Sequence, residues 1–456
     1  MKRILLSALL LLLPLLLPAQ SRGSYFFDNS LLRHKLNPAF APQVRYISVP
    51  VIGSGTYDAA SNIGLGNFVF PRANTTYSFL SDQVDAETFL GKLPRKDPYV
   101  NARFETDLLG GGMPLGEHGY ATVSLSVVGS ANVVIPGSLL RFAKLGRTDG
   151  TERWDIKGLQ GGFYRYASLA AGYSHDLGSL VEGLRVGGRL HLLVGLSAAR
   201  ADIDQISVRM QEDLFAAEMR GAGDLSGYGY LLQDSFRWGG LRPRKLVLGD
   251  IGLRGIGTAI DLGFEYRLPL DGFLESVNFS ASVNDLGFIW YNRGIKDISF
   301  DGSFAFSGFE NLNRGNLSGL VNAVIDDLKE QACPDVSDGS PFVHALSPSI
   351  YAGAEVPFYV LAFRMHAGLL YYHSVGRSNL MAAYGISPFE WLNLGLNWTF
   401  LGPAGRFGFY AEFIPRKYVG IFFGMERASF KRNSQHIPIG NATDSFAFGV
   451  NVLFGK

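Results

Sequence analysis

Two histidines are the side chains of this sequence best suited to proton chemistry, and each has an arginine two residues before it. Arg189 precedes His191, and Arg364 precedes His366, so each pair shares one face of an extended chain. An imidazole acts as a general base only where a hydroxyl or a water lies within hydrogen-bond reach. No local motif places a nucleophile beside either histidine, so both read as members of a polar network, and no catalytic residue is assigned. A serine or water beside His191 or His366 is what an enzyme would require. The eight histidines lack metal-ligand spacing, and "PDVSDGS" lacks the acidic positions and closing glutamate of a calcium loop. Gly255-Ile256-Gly257 falls inside an alternating run, where glycine eases curvature rather than cradling phosphate. No metal and no cofactor are expected.

The elements that carry these charges alternate with period two. In "LRVGGRLHLLVGL", Leu184, Val186, Leu190, Leu192, Val194 and Leu196 share one face, while Arg185, Arg189 and His191 share the other. "GIGTAIDLGFEYR" repeats the pattern, with Ile256, Ile260, Leu262 and Phe264 opposite Asp261, Glu265 and Arg267. Glu355, Arg364, His366 and Glu412 join the same polar set. One continuously apolar parity beside one that tolerates charge is the signature of a strand with lipid on one side. The polar set therefore lines a lumen; its mixed sign sets no ion preference.

Runs of this kind fill the last third of the chain, separated by short turns such as "SPFE" and "PRK", so an antiparallel meander follows. Counted from "VRYISVPVI", about 14 strands are expected. A soluble β-sandwich also alternates, but these apolar faces run longer than its modal strands. Trp290, Tyr291, Trp391, Trp398, Phe400 and Tyr410 sit near strand ends, where a membrane barrel carries aromatic girdles. The fold class expected is all-β, a transmembrane antiparallel β-barrel.

Composition agrees. The 456 residues include 56 Gly, 34 Phe and 20 Tyr, and 18% are charged against about 25% in typical soluble domains. After the first twenty residues no apolar run is long enough for a helical span, which leaves a closed barrel as the membrane architecture. The net charge of +1 gives no pull toward nucleic acid. Cys333 is alone, so no internal disulfide forms. Residues 1–19, with Lys2 and Arg3 before an apolar stretch and Ala19 at its end, read as a secretory signal peptide. That address implies the outer membrane of a Gram-negative cell.

Three stretches are too long for turns: 70–100, 205–250 and 291–348. The third contains an amphipathic helix, Leu317 to Leu328 capped by Asn316, which either packs on neighbouring loops or lids the pore. "SDQVDAETFL" reads as a shorter helix capped by Ser81 or Asp82. Residues 20–43 are too mixed in polarity for a lipid-facing strand, and their Phe26, Phe27, Leu31, Leu32, Leu36 and Phe40 suit a plug inside the barrel, which then spans 44–456.

The tripeptide Asn37-Pro38-Ala39, just before the first strand of an exported protein of this size, resembles the "NPA" motif of FadL-type long-chain fatty-acid channels and of PorV and PorP-like barrels. The whole segment "FFDNSLLRHKLNPAFAP" resembles FadL-like outer-membrane proteins of unassigned function. The resemblance implies a 14-stranded barrel with an N-terminal hatch and passive uptake of a hydrophobic small molecule. The other reading is a structural barrel that serves a secretion or surface-assembly complex. The terminal "AFGVNVLF", with Gly449, Val452 and Phe454, resembles the signal read by the barrel-assembly machinery. Partners expected are therefore outer-membrane lipid, that machinery and a hydrophobic ligand.

Overall fold

The computed structural model describes residues 22–28, 30–42, 44–72, 75–145, 153–210, 215–226, 252–271, 274–306, 335–361, 363–400, 406–414, 418–427 and 444–454. The signal peptide, the helix expected at 317–328 and Cys333 lie outside them.

The chain forms a closed antiparallel barrel of 14 staves. The first stave, β1, is broken into Arg45–Ser48 and Gly55–Ser61. There follow β2 (Tyr99–Leu115), β3 (Gly119–Val134), β4 (Leu159–Asp176), β5 (Leu184–Met210), β6 (Gly255–Pro269) and β7 (Ser276–Tyr291). The second half comprises β8 (Ser349–Val360), β9 (Phe363–Ser374), β10 (Arg377–Phe389), β11 (Leu392–Thr399), β12 (Arg406–Phe413), β13 (Val419–Arg427) and β14 (Asp444–Phe454). Closure comes from β1, which pairs with β14 on one side and β2 on the other.

Lipid explains the sidedness. Leu190, Leu192, Ile256, Leu262, Phe279, Leu369, Leu394 and Leu396 face outward and are exposed, whereas Arg189, His191, Asp261, Asn278, Glu355, His366, Asn393 and Glu412 face inward and are buried. A soluble barrel would reverse the two. The end with the short turns, such as 116–118 and 390–391, is the periplasmic end of such barrels, and the longer connections lie at the outer end.

None of the three long stretches is a loop throughout. β5 continues to Met210 and pairs with Phe215–Ser226, which pairs with Ile295–Phe306. Asp335–Asp338 and Phe342–Ala345 extend this collar above the outer rim. In the first stretch, Ala86–Leu90 is a helix whose cap is Asp85 rather than Ser81 or Asp82. The Asp85 carboxylate accepts from the Thr88 amide at 2.7 Å, and residues 81–84 form turns. Phe89 of this helix packs with Leu140 of a further helix, Gly137–Leu145.

The girdle expectation needs one correction. Trp290, Trp391, Trp398 and Phe400 are exposed on the outer surface, but Tyr291 and Tyr410 are 0% and 1% exposed and point into the lumen. For Tyr291 the reason is a bulge. The β6–β7 register shifts beside Asp285, whose φ is +61°, so the inward parity of β7 changes from Asn278–Asn284 to Ile289–Tyr291.

Candidate functional site

The described residues of 22–42 lie inside the barrel, and all except the half-buried Ala41 are buried. Short 3-10 turns at Arg22–Ser24 and Arg33–Lys35 compact the segment so that its apolar side chains radiate. Tyr25, Phe26 and Phe40 pack with Tyr351, Leu370, Tyr372 and Met381. Phe27 and Leu32 pack with Tyr410, Phe422 and Ala447.

Inward-facing glycines make the room. A Cβ at Gly353 would stand 2.8 Å from the Tyr25 ring, at Gly368 2.8 Å from Phe26, and at Gly385 2.6 Å from Phe27. Asn37-Pro38 rests on Gly187 and Gly263, which come too close to admit any side chain. Asn37 completes the seat: its side-chain amide donates to the backbone carbonyls of Phe264 (3.0 Å) and Ala281 (3.3 Å), while its oxygen accepts from the Ala39 amide at 2.9 Å. The three motif residues thus form a turn clipped onto β6 and β7.

Charges tie the segment to the wall. Asp28 pairs with Arg33 (2.6 Å), Arg364 (2.7 Å) and Arg267 (3.5 Å), and these guanidinium groups hold its carboxyl well below the usual range against the opposing effect of burial. Arg33 also reaches Glu265 at 3.2 Å. Lys35 bridges Glu105 (3.0 Å) and Asp107 (2.7 Å) on β2. Arg22 pairs with Asp58 and Glu426 and lies 4.1 Å from the centre of the Tyr372 ring. These attractions outweigh burial and keep Arg22, Arg33 and Lys35 firmly charged. Burial depresses His34 to about 3, helped by nearby Arg189 and Lys35, so its ring is neutral: Nδ1 donates to Leu31 O at 2.7 Å and Nε2 accepts from Tyr46 at 3.1 Å.

The lumen residues picked out by parity fall into three groups. Arg185, Glu265 and Arg267 border a cavity of about 330 Å3 at the periplasmic mouth. Arg189, His191 and Asp261 lie at mid-height. Glu355 and His366 pair at 3.0 Å beneath the Phe27 ring, and Arg364 is engaged by Asp28. Gly449 packs against Phe422 inside, while Val452 and Phe454 face outward on β14.

At mid-height His191 accepts or donates on both ring nitrogens, with Ser168 Oγ 3.0 Å from Nδ1 and Asp261 Oδ2 2.9 Å from Nε2. This meets the distance requirement set for a catalytic serine. The space beside it, about 30 Å3, admits water and no substrate, so the trio is a buried hydrogen-bond chain. Asp261 also accepts from the Asp285 amide at 2.7 Å, which pins the bulge.

Parity reading missed the partners on β2. Arg103, Glu105 and Asp107 are inward and alternate in "NARFETD", the same signal that revealed β5. Arg103 pairs with Asp285 (3.1 Å) and Glu105 (3.4 Å) and floors an outer vestibule of about 420 Å3, whose walls include Tyr164, Tyr166, His344 and Leu346. Tyr164 and Tyr166 belong to an aromatic and aliphatic cluster with Val128, Ile289, Tyr291 and Phe342. From the outside inward, the lumen is aromatic, then ionic, then filled by the N-terminal segment.

No curated protein matches the chain in sequence. Among solved structures it is similar to a mutant of the monoaromatic hydrocarbon channel TodX, at 11% identity and a TM-score of 0.42, covering 93% of this chain and 94% of that one. It is similar to the toluene transporter TbuX of Ralstonia pickettii at 10% identity and TM-score 0.34, covering 96% and 98%. It is also similar to the translocator domain of the autotransporter NalP from Neisseria meningitidis at 10% identity and TM-score 0.31, covering 90% and 88%. Residues 38–424 match one family profile, and on that match the chain belongs to the family of unknown function DUF5723.

Proposed function

We propose that this outer-membrane barrel is a plugged uptake channel for small hydrophobic or amphipathic molecules, with residues 22–42 as the plug. The observation that carries the reading is the outer vestibule. It is in the usual size range of small-molecule sites and sets Tyr164, Tyr166 and Leu346 beside Asn101, Asn132 and Ser347 above a closed floor, walls that suit an amphipathic molecule. A ligand held there reaches the periplasm when the plug shifts, because Lys35, Arg103 and their acidic partners cross the lumen below it.

A second reading, a barrel that supports a secretion or surface assembly, is favoured by one fact. Among the described residues no apolar cavity runs from the vestibule to the plug. Mass spectrometry of apolar molecules that co-purify with detergent-extracted protein separates the two. A hydrocarbon or fatty acid recovered with wild type and lost with Tyr166→Arg supports uptake; clean protein with a co-purifying polypeptide supports the assembly role.

A further inference from the structure

The plug does not fill the lumen evenly. Two small voids lie between it and the wall, one against β3–β5 and the other across the lumen from β2 to β8. One, of about 10 Å3, is bounded by His34, Pro38 and Phe40 on the plug and by Tyr120, Thr122, Gly172 and Arg189 on the wall. It shares Phe40 and Tyr120 with the periplasmic cavity. The other, of about 30 Å3, shares Arg189 with the first and Arg103, Tyr166 and Ser349 with the outer vestibule. The four spaces therefore follow one another from one mouth of the barrel to the other, each parted from the next by side chains that border both.

Their chemistry suits water. A buried water needs about 10–15 Å3 and two to four polar partners. Ser174 Oγ, Arg189 Nε and Asn284 Oδ1 are buried without a hydrogen-bond partner in the protein, and each of these residues borders one of the two voids. Buried polar groups are seldom left unpaired, so an ordered solvent molecule at each is the expected complement. The remaining lining, with Ser168, His191, Asp261 and Lys35, offers further donors and acceptors at hydrogen-bond spacing. A hydrocarbon gains nothing from such walls.

We propose that the barrel conducts water past the seated plug, in a file that runs between residues 34–40 and staves β3–β5 and then across the lumen beneath the outer vestibule. This activity is separate from uptake of apolar molecules: it needs no movement of the plug, and its cross-section excludes any organic ligand. The narrow void is the control point. Gly172 faces it, and a side chain there would meet Thr122 and Arg189.

The test is osmotic shrinkage of proteoliposomes against impermeant sucrose, followed by stopped-flow light scattering. Wild type should shrink faster than protein-free vesicles. Gly172→Val and Thr122→Phe, which fill the narrow void from two staves, should return the rate to the protein-free value. Ala171→Leu, on the lipid face of the same stave, should leave it high. Heat-dependent gel migration identifies the variants that fold, and if Gly172→Val fails to fold, Thr122→Phe decides. A wild type no faster than empty vesicles overturns the proposal. So does a folded void-filling variant that stays fast.

Discussion

The N-terminal segment, residues 22–42, meets the two halves of the barrel by different physics. Against β8–β14 it is dry and interlocked, with Phe26, Phe27 and Tyr25 seated on glycines and stacked among Tyr351, Tyr372 and Tyr410. Against β2–β6 it is polar, held by Lys35 and Arg33 on carboxylates, with Asn37 on backbone carbonyls and small voids between. Shape dominates the first side, where the ion pairs of Asp28 with Arg364 and of Arg22 with Glu426 are enclosed by it, and charge dominates the second. Any displacement of this segment should open the polar side first, because close-packed surfaces must separate whole while ion pairs beside solvent exchange partners.

The strongest test of that asymmetry compares two cations. Arg22 is on the dry side, buried with Asp58 and Glu426. Removing one partner of a buried pair costs about 3–5 kcal/mol, since the other charge is left uncompensated. Arg22→Met should lower resistance to urea unfolding by that order. Lys35→Met takes one partner from Glu105, which keeps Arg103 and borders a void that admits water, and one from Asp107, which keeps Ser126, so its loss should be clearly smaller. Equal losses would break the comparison.

The wall itself gives the next effect. Leu190 faces lipid between the inward Arg189 and His191. Leu190→Arg should cost about 2–4 kcal/mol if it lies near the bilayer midplane. The folded fraction on semi-native gels should drop accordingly. An unchanged fraction would remove the lipid-facing assignment.

A smaller effect addresses the glycine seats. Gly385→Val puts a branched side chain where the Phe27 ring lies, and overpacking of this kind costs about 1–3 kcal/mol. Protease access to residues 22–42 should rise while the barrel remains folded. If access stays at the wild-type level, the interlock is not what retains the plug.

Parity was legible because lipid enforces it. Leu184 to Leu196 and Ile256 to Phe264 must be apolar on one face without interruption, so strands, sidedness and the inward charges could be read directly. Tyr291 was misread because the bulge at Asp285 reverses parity inside one strand, a change that shows in the sequence only as the shift of apolar residues from Val283 to Leu286 and Phe288. Tyr410 lay on the readable parity of Glu412; its ring suggested an interface, whereas it packs on Phe27 and bonds Ser30 at 2.8 Å. The glycine seats were also invisible one at a time. Gly187 and Gly263 face each other across the β5–β6 ladder, and their meaning appears only when Asn37-Pro38 is set on them. Ion pairs between residues as far apart in sequence as Asp28 and Arg364 carry no local signal at all.

The polar side of the N-terminal segment should also respond to pH through His34. Its folded value is lowered to about 3 from an ordinary 6.5, by burial first and then by Arg189 and Lys35, with Glu105 opposing. A released His34 takes up a proton near pH 6.5, whereas the seated one resists until about pH 3. Seating is therefore strongest above pH 6.5 and weakens as pH falls through that window, by up to about 1.4 kcal/mol for each unit. Asp28 works in the same direction only below its ordinary value of 3.8, so it adds nothing from pH 6 to 4, and comparison with a His34 variant isolates the share of His34. Hydrogen exchange of residues 30–40 should quicken over that range and stay flat in His34→Gln, whose amide can still reach Leu31 O or Tyr46. Quickening confined to residues 22–28 would instead mean that the dry side opens first, and the two halves would have to exchange their roles.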